Sequence, residues 1–86
     1  MSMSFGAAFA TFALGDSVVV ANGNPEPSKS GGVPWRIWRS HNFTGTLIEK
    51  VEGVPRQMVF QLPEEGGVRT SYTIVDGLGH NFTAGA

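Results

Sequence analysis

Phe12-Ala-Leu-Gly-Asp-Ser-Val-Val-Val20 decides how this chain is read. Gly15-Asp16 is a tight, acid-marked turn, and the β-branched run Val18-Val19-Val20 has the make-up of a strand. Placed near the front of 86 residues that include 12 glycines, this start points to a small all-β domain. Asp16–Ala21 is therefore the first strand, ended by the turn-forming Asn22-Gly23-Asn24-Pro25.

Downstream, Asn22–Pro34 is rich in Gly, Pro, Ser and Asn and reads as a long loop without regular structure. Trp35–Arg39 and Thr44–Val51 read as strand, interrupted at Ser40-His41-Asn42. Glu52-Gly53 is placed as a hairpin turn into a strand over Arg56–Leu62. Alternation in that strand sets Met58, Phe60 and Leu62 on one face, the predicted core, and Gln57 and Gln61 on the other. After the turn Pro63–Gly67, Val68, Thr70, Tyr72 and Ile74 share a face of a strand over Val68–Val75. Asp76–Gly79 reads as a single helical turn, and His80–Thr83 as a short closing strand.

Ahead of the turn, residues 1–13 form an N-terminal arm or short helix, and 14–86 a single small β-barrel domain. Phe5, Phe9 and Phe12 fall at i, i+4 and i+7, one face of a helix. Exposed rings of this kind promote aggregation, so they are expected to pack on the barrel or on a second subunit. They are the candidate oligomer contact.

The order strand, long loop, strand, hairpin, strand, hairpin, strand, single turn, short strand resembles the SH3-like small barrel. The resemblance runs from Leu14 to Thr83, with Asn22–Pro34 at the long first loop and Asp76–Gly79 at the terminal 3₁₀ turn. It implies a five-stranded barrel. The chain also resembles the plasmid-borne type II dihydrofolate reductases, short barrels of this kind whose four copies build one active-site pore. Phe12–Val18 is similar to the segment that opens their barrel, and Ser71–Val75 falls where they carry a Val-Gln-Ile-Tyr strand. Ile74 is retained there, while Thr73 and Val75 replace the glutamine and tyrosine.

Composition narrows the chemistry. A single domain of this length buries only about 60–65% of its unfolded surface, so association is a ready source of stability. The absence of cysteine removes disulfides, thiolate metal sites and thiol nucleophiles. Two histidines supply a metal site poorly, and neither a metal nor a cofactor is expected. Net charge is −1, which gives no overall attraction to nucleic acid or anionic membrane. No apolar run reaches the roughly 20 residues of a membrane span. The apolar stretch Phe5–Leu14 has no Lys or Arg before it, unlike an export signal, so a cytoplasmic location is expected.

Two constellations stand out as candidate ligand-binding residues. Trp35-Arg36-Ile37-Trp38-Arg39 holds both tryptophans and two of the six cationic side chains. Alternation separates Trp35, Ile37 and Arg39 from Arg36 and Trp38, and Trp beside Arg suits a binding hot spot or stacking on a planar ligand. In addition, His41-Asn-Phe-Thr44 recurs as His80-Asn-Phe-Thr83. If both strands start at one rim, His41 and His80 form a two-imidazole patch. Lys29, Arg36, Arg39, Lys50 and Arg56 crowd the middle of the chain as a solvated, mixed surface.

The leading expectation is a non-enzymatic binding or assembly module, a homo-oligomer whose ligand is a peptide, small molecule or nucleic acid. One alternative is single-stranded nucleic-acid binding through Trp38, Arg36, Arg39 and Lys50; another is the oligomeric pore-type reductase. A small-barrel plan without a family-defining motif also fits a reading frame carried by a phage or a mobile gene cassette.

Overall fold

The computed structural model describes residues 1–21, 26–29, 36–39 and 42–85. One short helix, α1 (Phe5–Thr11), precedes seven strands: β1 (Ser17–Ala21), β2 (Glu26–Lys29), β3 (Arg36–Arg39), β4 (Phe43–Val51), β5 (Gln57–Gln61), β6 (Ser71–Val75) and β7 (Asn81–Ala84). Five of them form one antiparallel sheet in the order β6-β5-β4-β1-β7, while β2 and β3 pair as a separate two-stranded ribbon. The ribbon corrects the expectation of a long structureless loop over Asn22–Pro34, because Glu26–Lys29 is strand. It also moves Arg36–Arg39 out of the main sheet. Four residues with two polar ends and a β-branched Ile37 opposite Ser28 suffice for a ladder, despite Pro27.

The turn before β1 follows its sequence closely. Gly15 has φ of 98°, open to glycine and strained for other residues, and the Asp16 N–H donates to the Ala13 carbonyl at 3.1 Å. The Asp16 carboxylate accepts from the Ala13 N–H at 2.9 Å. Gly15 N–H and Leu47 N–H then exchange bonds across to β4, with the Leu47 and Asp16 carbonyls accepting at 2.8 and 3.0 Å. The acid-marked turn thus sets the register in which Val18 faces Gly45 and Val20 faces Phe43.

Period-two alternation selects the buried face. Val18 and Val20 of β1, Leu47 of β4, Met58 and Phe60 of β5, Ile74 of β6 and Phe82 of β7 are all fully buried. Leu62, expected beside Met58 and Phe60, is half-buried, because it lies beyond the end of β5. Between β4 and β5 the register shifts at Leu47/Glu49, leaving Ile48 as the extra residue of a bulge. Asp76–Gly79 is a turn rather than a helical one: Gly77 and Gly79 have φ of 99° and 76°, outside the helical region.

The N-terminal segment contributes to the core. Phe5, Ala8, Phe9 and Phe12 belong to the buried cluster. Phe5 meets Phe82 edge-on at 5.7 Å between ring centroids, and Phe82 in turn stacks with Phe60 at 6.2 Å. A helix of seven residues without a side-chain cap is marginal in water, so its stability comes from this packing. Of the two surfaces expected to receive the rings, the chain's own sheet takes them, and little of Phe5, Phe9 or Phe12 is left for a second subunit.

Removing residues 1–12 is expected to abolish cooperative thermal unfolding, followed by circular dichroism. Phe9→Ala in the full chain should cost about 3–5 kcal/mol, a large share of the roughly 4–13 kcal/mol that a domain this size possesses. A truncated chain that still melts sharply would show the arm to be dispensable.

Candidate functional site

The expected site residues divide among three places. Arg36, Trp38 and Arg39 lie on β3, while Trp35 and His41 fall outside the described residues. His80 lies just before β7, and Phe5, Phe9 and Phe12 are in the core.

The β2–β3 ladder pairs Glu26 with Arg39, Pro27 with Trp38, Ser28 with Ile37 and Lys29 with Arg36.

The histidine repeat has a clear structural counterpart. Val20 of β1 pairs with Phe43 on one side and Phe82 on the other, and Val19 likewise with Thr44 and Thr83. The two Phe-Thr copies thus occupy the same register on either side of β1, at one rim of the sheet. His80 is only 4% exposed and lies 6.3 Å from Phe82 between ring centroids, so its imidazole is part of the interior there. That burial removes it from an exposed two-imidazole patch.

His80 also lines a shallow cleft of about 390 Å³ together with Ser4, Phe5, Asp76, Leu78 and Asn81. Beside it lies a cluster that sequence reading missed. Arg56 donates to one oxygen of Asp76 from Nε at 3.2 Å and from Nη2 at 2.9 Å. Its guanidinium also lies over the rings of Phe5 and Phe9, 5.7 and 5.3 Å from their centroids. Gly6 makes room for it, since a β-carbon there would stand 3.3 Å from Arg56 Nη2. The Asp76 N–H, finally, donates to the Arg56 carbonyl at 2.9 Å. This cluster fastens α1 to the start of β5 and the end of β6; it is structural.

The remaining cations of the main sheet are also engaged within the chain. Lys50 lies over the Phe9 ring at 5.7 Å, and Arg69 bonds Glu64 at 3.3 Å. Among the described residues no three His, Asp or Glu side chains gather as a metal site, and no helix is long and apolar enough to cross a membrane.

Comparison with known proteins finds no matching family model, no matching curated protein and no matching solved structure.

Arg56 and Asp76 are each about a third exposed, at 37% and 32%, so their ion pair itself contributes about 0–1 kcal/mol. Asp76→Asn is accordingly expected to cost less than about 1 kcal/mol. Arg56→Ala also removes the contact with both rings and should cost about 1–2 kcal/mol. Urea unfolding midpoints check this ordering, and equal costs would contradict it.

Proposed function

We propose that this chain is a non-enzymatic binding and assembly module with the plan of an SH3-like barrel, and that it self-associates through β6. Two features support the barrel plan. The first strand lies between the last strand and the long β4, and the bulge at Ile48 gives β4 the bend that a small sheet needs to curl.

The state of the sheet's two edges carries the assembly reading. The outer edge of β7 is occupied by Met3, whose N–H donates to the Phe82 carbonyl at 2.7 Å and whose carbonyl accepts from the Phe82 N–H at 2.9 Å. The outer edge of β6 has no strand partner among the described residues. Exposed edges are usually guarded by charges, prolines or bulges. Ser71-Tyr-Thr-Ile-Val75 has no charge or proline, and its ladder with β5 is regular.

Val68, in the turn ahead of β6, is 65% exposed. A second copy of β6, antiparallel across a two-fold axis, pairs the two edges with each other.

The expected result in size-exclusion chromatography with light scattering is a mass of at least two chains. Thr73→Lys places a charge on the edge without touching the core, and should return the protein to the mass of one chain with its circular dichroism unchanged. A wild-type protein of single-chain mass at high concentration would end this reading.

A further inference from the structure

We infer that the cleft between the β6–β7 turn and the start of α1 binds a small, neutral, planar molecule carrying adjacent N–H and C=O groups, a cyclic amide or imide.

The reason is hydrogen-bonding capacity that the fold leaves unspent at one place. Asp76 lines the cleft, and its pair with Arg56 uses a single oxygen. Nε and Nη2 both donate to Oδ2, at 3.2 and 2.9 Å. Arg–carboxylate pairs are frequently bidentate, with one N–H on each oxygen. Here Oδ1 accepts no hydrogen bond from the described residues.

Two further side chains lining the cleft are in the same state. Ser4, just ahead of α1, makes no capping bond to the helix. Asn81, at the first position of β7, has a carboxamide bonded to none of the described residues. The turn between Asp76 and Asn81 contributes backbone as well. No backbone bond occupies the N–H groups of Gly77, Leu78 and Gly79. A β-carbon at Gly77 would meet nothing within 4 Å, so a ligand has room to approach the main chain there.

This mixture selects the ligand. The acceptor Oδ1 is accompanied by donors from Ser4, Asn81 and the turn, so the complementary edge has donor and acceptor side by side. Asp76 repels an anion, and Arg56 already balances that carboxylate, so no charge is left over for a cation. Phe5, Val75 and Leu78 supply apolar lining, and about 390 Å³ is within the range of small-molecule sites.

Self-association through β6 is a separate matter. Binding without an oligomer keeps this inference, and an oligomer that ignores the probe ends it.

The test titrates uracil into the full chain and follows amide chemical shifts of the wild-type protein. Saturable shifts are expected at 4–5 and 76–81, with a Kd of about 1 mM or tighter. N,N′-dimethylated uracil keeps the ring and loses both donors, and should bind about tenfold more weakly. Orotate, the same ring with a carboxylate, and benzamidine, a flat cation, should also bind more weakly than uracil. Asp76→Asn should lose about five- to tenfold in affinity and Ser4→Ala about two- to tenfold. Glu64→Gln, in the other turn, should change nothing. No saturation at millimolar uracil, shifts confined to other residues, or equal binding of the dimethylated ring would each overturn the inference. So would a preference for orotate or benzamidine, and these wild-type outcomes do not depend on any variant folding.

Discussion

The structure depends on covering one face of the five-stranded sheet, and α1 supplies the cover. A sheet whose buried side chains include Val18, Val20, Leu47, Met58, Phe60, Ile74 and Phe82 cannot leave that face in water. Phe5, Phe9 and Phe12 close it, through the contact of Phe5 with Phe82 and the stack of Phe82 on Phe60. Arg56 holds the helix in place, bonding Asp76 on one side and lying over Phe5 and Phe9 on the other. The helix has little stability alone and the sheet has no cover alone, so each exists because of the other.

Function follows from what this core consumes and what it leaves over. The aromatic run and half of the cations are used within the main sheet, which removes them as candidates for external contact. What remains in the main sheet is the outer edge of β6, which has no strand partner among the described residues.

Much of this was legible in the residues. Gly15-Asp16 marks the turn it forms, and the alternation of Met58 and Phe60 finds the core face of β5. The same alternation overreached at Leu62, because the pattern shows which way a residue faces and not where the core ends. The ribbon was missed because Asn22–Pro34 carries the composition of a loop, and pairing with a strand beyond it overrides local preference. Arg56 and Asp76 were missed because only the β5–β6 register, which pairs Gln57 with Val75, makes them the next positions out.

By itself the sequence determined the local conformations: the glycine-dependent turn, the β-branched strand after it, the helical spacing of Phe5, Phe9 and Phe12, and the inward alternation of β5. Each depends on residues a few positions apart, where sterics and periodicity act directly. Only the tertiary structure decided which strands are neighbours. Strand order put the two Phe-Thr copies on either side of Val20, and paired Lys29 with Arg36 in the ribbon. Strand order also left the outer edge of β6 without a strand partner among the described residues, while Met3 occupied the edge of β7. Pairing joins residues far apart in the chain through backbone groups that every residue carries, so side-chain identity alone does not announce it.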